Sequence, residues 1–193
     1  MFRKLCFGLM VALLLIAAPA TFGQTASTNT AYLRILQLTN DNTIVSVALQ
    51  DGRTILTNFA PGSVSDPLTF DPNHSTIITL AITPPGRQSF FREWAVPPLA
   101  TGYHTAAVVG SGIDNTIQLI FIDEDTLCAG KLAAGSCVIL VNSLKGAPAL
   151  RVLANQTPVV DGVAYRQAVA GSVPAATYQD FTASDQNNPQ TAI

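Results

Sequence analysis

Two cysteines, Cys128 and Cys137, are the residues whose type and spacing point most directly to chemistry. They are the only cysteines outside the first ten residues of the chain. Thioredoxin-like redox chemistry uses a Cys-x-x-Cys motif, which is absent here. A zinc site needs about four ligands, and the two histidines lie far away in the sequence. The spacing therefore favours a disulfide that closes a short loop, and two free thiols or a bound metal are the alternatives.

The two histidines, His74 and His104, could act as acid-base groups beside a serine nucleophile and an aspartate. The Gly-x-Ser-x-Gly motif that presents such a serine is absent, and GSVSD at 62–66 lacks its final glycine. We expect His74 in a loop and His104 partly buried in a strand. The sequence thus predicts no catalytic residues, and an envelope hydrolase is the least favoured function.

The acidic cluster Asp123, Glu124 and Asp125 could offer hard oxygen ligands to calcium. The side chains would alternate along an extended segment, and no Asp-x-Asp-x-Asp-Gly loop is present. We therefore expect a solvated strand end here. Asp41 lies between two asparagines and is expected in a plain turn. No metal and no cofactor is predicted.

Four aromatic residues lie close together in the sequence: Phe90, Phe91, Trp94 and Tyr103. Side chains alternate between the two faces of a strand, so Phe90 and Trp94 share one face while Phe91 lies on the other. We expect Phe91 in the core. Phe90 and Trp94 then become candidate ligand-binding residues, since exposed aromatic rings can stack on sugars or bind a partner.

The first 23 residues resemble a secretory signal peptide. Arg3 and Lys4 precede an apolar stretch from Phe7 to Ala18, and small residues near Ala20 or Gly23 offer cleavage sites. This pattern predicts a secreted or cell-envelope protein, and an uncleaved anchor is the alternative. Export strengthens the disulfide prediction, because cysteine pairs oxidise outside the cytosol.

The composition argues against nucleic acid as a partner. Removal of the signal peptide leaves 8 of the 10 basic residues against 12 acidic residues, a net charge of about −4. The basic residues are scattered singly, whereas nucleic-acid binding requires clustered cations. No second long apolar segment occurs, so no membrane span is expected in the mature chain.

Beyond the signal peptide, short β-branched runs alternate with turn residues, which is typical of successive strands. Asp51-Gly52 indicates a hairpin, and 103–109 and 116–122 form another expected hairpin. The nearly all-apolar Ile117–Ile122 segment predicts a central strand buried on both faces. Together these patterns predict an all-β, Ig-like antiparallel β-sandwich.

The chain also contains a weak internal repeat. The segments LRILQLTNDNTIVSVAL and VILVNSLKGAPALRVLA each show a strand, a polar turn and a second strand, about 105 residues apart. We therefore predict a linker at 24–30, a first β-sandwich repeat at 31–127, and a partial second repeat at 128–184, packed on the first or completing it. Residues 185–193 are expected to form a disordered tail.

These strand and turn patterns resemble the domain of unknown function 4397 family, whose members are extracellular bacterial Ig-like or transthyretin-like β-sandwiches. The segment from 31 to 125 matches well and that from 137 to 180 in part, with Gln37 where the family has histidine, Ser46 for aspartate, and His104 for tyrosine. The matching positions are Arg34, Asp41, Val45, Val47, Asp51 and Gly52. The resemblance implies a fold and an extracellular location, but no activity.

The predicted function is therefore a non-catalytic exported module with a structural, adhesion or recognition role. Its expected partner is an unidentified protein or glycan at the cell surface. A module that binds carbohydrate or another small polar ligand is the alternative. This alternative predicts two coplanar exposed aromatic rings, and Phe90 and Trp94 are the residues expected to provide them.

Overall fold

The computed structural model describes residues 30–72, 74–174 and 180–187. The predicted signal peptide and, apart from Thr30, the predicted linker lie outside these residues. Two short helices, α1 (Glu124–Cys128) and a 3-10 helix (Leu132–Ala134), separate β8 from β9. The strands of the described part are β1 (Ala31–Thr39), β2 (Ile44–Leu49), β3 (Thr54–Phe59), β4 (Leu68–Phe70), β5 (Thr76–Thr83), β6 (Phe90–Val96), β7 (Gly102–Gly110), β8 (Gln118–Asp123), β9 (Ser136–Val141), β10 (Leu150–Ala154), β11 (Thr157–Val163), β12 (Ala168–Val173) and β13 (Phe181–Asp185).

The first eight strands form a two-sheet sandwich. Sheet I has the order β4-β1-β7-β8, and sheet II has the order β3-β2-β5-β6. Neighbouring strands are antiparallel, except that β1 and β7 run parallel from the pair Ala31–Gly102 to the pair Thr39–Gly110. The prediction of an all-β sandwich is confirmed, and the parallel pair is an addition that the sequence pattern did not indicate.

Alternating apolar residues fill the space between sheets I and II. Leu33 and Ile35 of β1 and Val45 and Val47 of β2 are completely buried. Because successive side chains of a strand point to opposite faces, an apolar residue at every second position delivers these side chains to one layer. Burial of this apolar surface is the main force that holds the two sheets together.

The expected position of β8 is wrong in one respect. The strand is the outermost strand of sheet I, not a central one. Its two faces are nevertheless both packed: Leu119 and Phe121 contact the core between sheets I and II, and Ile120 and Ile122 contact a cluster on the outer face. The continuous apolar run therefore reflects coverage of both faces, which periodicity cannot distinguish from a central position.

The second half of the described chain forms a smaller sandwich. Sheet III contains β12 and β9, and sheet IV has the order β11-β10-β13. Apolar residues of both sheets form its core. The buried members of this core are Leu140, Leu150, Val152, Val160, Val163 and Ala183.

Sheet III also packs on the outer face of sheet I. The even-numbered residues Leu36 and Leu38 of β1 and the odd-numbered Ile139 and Val141 of β9 belong to one apolar cluster, together with Leu127 of α1. β9 therefore contributes one face to the second core and the other to this contact. The result is a stack of four sheets.

The strand pairing of the second half corresponds to that of the first. β9 pairs with β12 as β1 pairs with β4, and β10 lies between β11 and β13 as β2 lies between β3 and β5. Within the described residues, no counterpart of β6 to β8 follows β13.

The predicted disordered tail is wrong at its start. Asp185 is the last residue of β13, and the N–H of Gln186 donates to the carbonyl of Ala149 at 2.9 Å. The N–H of Asn187 is bonded to the Asp185 carboxylate. Residues 188–193 lie outside the described part of the chain. Neither of the two described helices is long and apolar enough to cross a membrane.

Candidate functional site

The acidic cluster at 123–125 does not converge on one point. Asp123 caps α1, since its carboxylate accepts the Thr126 N–H at 3.0 Å. Burial disfavours the charged form of Asp123, but the bonds from Thr126 outweigh it and lower its pKa. Asp125 accepts the N–H of Tyr103 on β7. In the part of the chain that the structure describes, no group of three or more His, Cys, Asp or Glu side chains could hold a metal ion.

Glu124 is the exception to the expected solvated strand end, and that expectation is wrong for it. The chain begins α1 at this residue, which turns the side chain inward. Its carboxylate accepts hydrogen bonds from Arg34 and from the Thr105 hydroxyl, each at 2.5 Å. The Arg34–Glu124 ion pair and the Thr105 hydrogen bond together connect α1 to strands β1 and β7 of sheet I.

The two histidines lie in separate environments. His104 is buried on β7, and its Nε2 lies 2.9 Å from the carbonyl oxygen of Ala100. His74 lies in the exposed β4–β5 loop, and its Nδ1 is 3.0 Å from the Asp71 carboxylate. Neither contact involves a hydroxyl group, so these contacts do not assemble an activated nucleophile.

Cys128 and Cys137 form the disulfide that the sequence predicted. The bond joins the last residue of α1 to β9, with a Cα–Cα distance of 5.7 Å, which is within the usual range. It fastens sheet III close to the end of sheet I. Its place between two packed elements indicates a structural role.

The aromatic residues of β6 alternate between faces, but the faces are the reverse of those expected. Phe90 and Trp94, expected to face outward, are partly buried and pack against the core between sheets I and II. Phe91, expected in the core, is 72% exposed. β6 is the edge of sheet II, and parity alone does not tell which face of an edge strand is covered. Trp94 thus lacks the outward position that the candidate binding pair required.

An open cleft of about 440 Å³ lies at one end of the first sandwich. One wall comes from the β5–β6 loop (84–89) and the start of β6, and the other comes from the β7–β8 loop (111–117). Its volume is in the range of ordinary ligand sites. The lining includes Phe90 and Phe91 together with Arg87, Arg92 and Ile113.

Two arginines bridge the cleft walls. Arg87 donates from Nη1 to the carbonyl of Ile113 at 2.8 Å. Arg92 donates from Nη2 to the side-chain oxygen of Asn115, also at 2.8 Å. A guanidinium carries five N–H donors, so each of these bonds leaves further donors at the cleft surface. The acceptors are neutral, and the positive charge of both groups therefore remains uncompensated by these bonds.

Hydrogen bonds to Asp41 hold the β7–β8 loop in place. The Asp41 carboxylate accepts the Ser111 hydroxyl at 2.7 Å and the Ile113 N–H at 2.8 Å. Burial disfavours the charged form, but these bonds and those from Thr43 outweigh it, so the pKa of Asp41 is lowered. The sequence predicts only a plain turn at Asp41, whereas the structure shows that this residue anchors a loop about 70 residues away along the chain.

A second, smaller crevice lies between sheet I and β9. It has a volume of about 20 Å³ and is lined by Leu36, Ile122, Ile139 and other mainly apolar side chains. This space suits about one water molecule. It is a packing gap and offers no room for a ligand.

The open cleft is thus the candidate functional site. It combines an exposed aromatic ring with cationic donors on hydrogen-bonded loops, an arrangement suited to binding. Of the two ligand-binding residues predicted from the sequence, Phe90 and Trp94, only Phe90 lines the cleft. The sequence gives no signal for Arg87 and Arg92, because they occur singly, and only the folded chain places both next to the β7–β8 loop.

No protein-family model matches this chain, and no curated protein is significantly similar to it.

Proposed function

We propose that this chain is an exported, non-catalytic β-sandwich module that recognises a partner in the cell envelope or outside the cell. The observation that carries this proposal is the open cleft between the β5–β6 and β7–β8 loops, whose lining includes the exposed Phe91 together with Arg87 and Arg92. Loops at the end of a rigid sandwich are common positions for recognition residues. The contacts of both histidines, which involve a carbonyl and an exposed carboxylate, favour binding over catalysis.

Two observations support the export part of the proposal. The N-terminal residues have the charge and apolar pattern of a secretory signal, and Cys128 and Cys137 are disulfide-bonded. Disulfides persist mainly outside the reducing cytosol. We therefore place the mature protein in the cell envelope or the extracellular space.

The corresponding strand pairings of the two halves support an Ig-like partial repeat. Such a repeat agrees with the resemblance to the domain of unknown function 4397 family, which we retain as part of the proposal. In this scheme the second half serves as a platform that packs against sheet I.

Carbohydrate is the second candidate for the recognised partner. It is favoured by one specific observation: Phe91 exposes most of its ring on the surface of the edge strand β6. A flat exposed ring can cover the apolar face of a sugar, and Phe90 lines the same cleft.

Export is tested by expressing the full chain in a bacterial host and sequencing the N-terminus of the extracytoplasmic product. The expected product begins shortly after Ala20 or Gly23. Retention of the unprocessed chain in the cytosol would contradict this part of the proposal.

Recognition is tested by probing a broad array of glycans and surface proteins with the exported chain. Phe91→Ala is expected to abolish the strongest signal, because it removes the exposed ring of the cleft. Leu132→Ala is the matched control, since Leu132 is also largely exposed but lies outside the cleft lining. Binding that Phe91→Ala leaves intact would show that the cleft is not the recognition site.

A further inference from the structure

We infer that the open cleft binds an acidic sugar, whose anionic group pairs with Arg87 and Arg92 while the sugar ring stacks on Phe91. This inference rests on the proposed recognition function and specifies its ligand class. The anionic group is a carboxylate or a sulfate, because both present oxygen atoms to a guanidinium in the same way.

Three arginines of the described chain pair with carboxylates and three bond to neutral groups; one of the latter, Arg166, lies outside the cleft lining, donates to the carbonyl of Thr116 and stacks over Tyr165. Arg34, Arg53 and Arg151 each form an ion pair with a carboxylate. Arg87 and Arg92 instead bond to the neutral oxygens of Ile113 and Asn115. The cleft therefore contains two cations that a ligand, rather than the protein itself, can neutralise.

Acidic residues near the cleft leave this positive charge largely in place. Asp114 of the β7–β8 loop lies 3.8 Å from the amino group of Lys145, which offsets its charge. Asp41 is engaged by Ser111 and Ile113 beneath the loop. Glu93 lies on the same face of β6 as Phe91, two residues along, whereas Arg92 lies on the opposite face. Because β6 is the edge of sheet II, a ligand that contacts both the Phe91 ring and Arg92 crosses this edge, with its anionic group on the side away from Glu93.

The guanidinium groups are held in position before any ligand arrives. The bonds to Ile113 and Asn115 restrain the long arginine side chains, so a ligand need not pay most of their ordering entropy. Each arginine uses one nitrogen in these bonds, and the remaining N–H groups can contact an anion. A forked guanidinium suits a carboxylate or sulfate better than a single ammonium does.

A sugar fits this surface better than an acidic peptide. Phe91 offers a flat ring with 72% of the residue exposed, which matches the apolar face of a sugar ring. A strand-like peptide would instead pair with the backbone of the edge strand β6. That pairing needs neither guanidinium, so the two ligands respond differently to arginine substitutions.

The test is isothermal titration of the exported chain with four probes: oligogalacturonate, dextran sulfate oligosaccharide, neutral dextran of similar length, and an oligoglutamate peptide. We expect at least one acidic saccharide to bind, with Kd rising as salt is added because the pairing is electrostatic. Binding by only one of the two acidic saccharides would identify the anion as carboxylate or sulfate. Neutral dextran should bind at least about tenfold more weakly, since it cannot form the charge-assisted hydrogen bonds to the two guanidinium groups.

Three sets of variants separate the contributions. The double variant Arg87→Gln/Arg92→Gln should weaken the acidic saccharide at least about tenfold, and Arg87→Lys/Arg92→Lys should recover part of the loss. Phe91→Ala should weaken acidic and neutral saccharides alike. Arg53→Gln, which removes an exposed arginine elsewhere, should leave binding unchanged, and equal circular dichroism spectra should confirm that the variants fold.

Two results would overturn the inference and leave the recognition function standing. The first is that neutral dextran or oligoglutamate binds in a way that depends on Phe91 but is unchanged by the double glutamine variant. The second is that acidic and neutral saccharides bind with equal Kd values. If none of the four probes binds, the acidic-sugar assignment is wrong. If, in addition, the broad array shows no Phe91-dependent signal, the recognition function is wrong as well.

Discussion

At the scale of single residues, the buried ion pair of Glu124 shows how one side chain can join several elements. Glu124 belongs to α1 and contacts Arg34 on β1 and Thr105 on β7. Both charged side chains are mostly shielded from water. Loss of one member of such a pair leaves the other as an unpaired, poorly solvated charge.

Glu124→Ala should therefore lower the free energy of unfolding by about 3 kcal/mol, as measured by urea denaturation. Asp51→Asn is the control, because Asp51 forms its ion pair with Arg53 on the exposed surface and such pairs contribute little. If the two variants unfold at the same urea concentration, the Glu124 ion pair contributes no more to stability than the exposed Asp51 pair does.

Asp41 gives a pH-dependent prediction. Its pKa in the folded state is lowered below 3.8, the ordinary value, by its hydrogen bonds despite opposing burial. A lowered pKa means that its contribution to stability is present above about pH 4 and is lost as the pH falls through the folded-state value.

Asp41→Asn should thus be less stable than the wild type at pH 7, and the difference should shrink as the pH falls below about 4. Thermal unfolding followed by circular dichroism at several pH values measures this difference. A gap that stays constant from pH 7 to pH 2 would show that the Asp41 charge does not hold the β7–β8 loop.

At the scale of elements, the disulfide connects α1 with β9 where the chain passes from the first sandwich to the second. The loop that it closes is short, with a sequence separation of nine. A cross-link of this length limits the unfolded chain modestly.

Replacement of both cysteines by serine should lower the free energy of unfolding by about 2–3 kcal/mol, measured by urea denaturation. Reduction of the wild-type protein should produce a similar loss. Alkylation followed by mass spectrometry provides the check: two free thiols in the unreduced exported protein would contradict the bond.

At the scale of the whole molecule, sheet III covers the outer face of sheet I through one apolar cluster. Val141 of β9 belongs to this cluster and also lines the small crevice beside it. The contact couples the two sandwiches, so we expect them to unfold together.

Val141→Asp places a charge in this contact, where its desolvation is costly. We expect the single urea transition of the wild type to separate into two, with the second sandwich unfolding first, because its core is smaller. The control is Thr182→Asp, at an exposed position of β13. A single transition for Val141→Asp at the wild-type midpoint would show that the sandwiches are not coupled here.

The hairpin predicted at 103–109 and 116–122 corresponds to β7 and β8, because alternation of apolar residues and turn signals are local properties. The disulfide also followed from the sequence, because two cysteines of an exported protein meet an oxidising environment in which thiols form disulfides. The sequence correctly predicts that Phe90 and Trp94 lie on one face of β6 and Phe91 on the other. The prediction of which face is exposed was wrong, because no local signal tells which face of an edge strand is covered.

The sequence alone therefore determined the all-β sandwich class and the pairing of Cys128 with Cys137. Only the tertiary structure decided that β8 is an edge strand, that Glu124 is buried, and that Phe91 is exposed. The same holds for the cleft, because Arg87, Arg92 and the β7–β8 loop are brought together by the closure of two sheets. Contacts between residues distant in sequence depend on which surfaces meet, and that is a property of the folded chain as a whole.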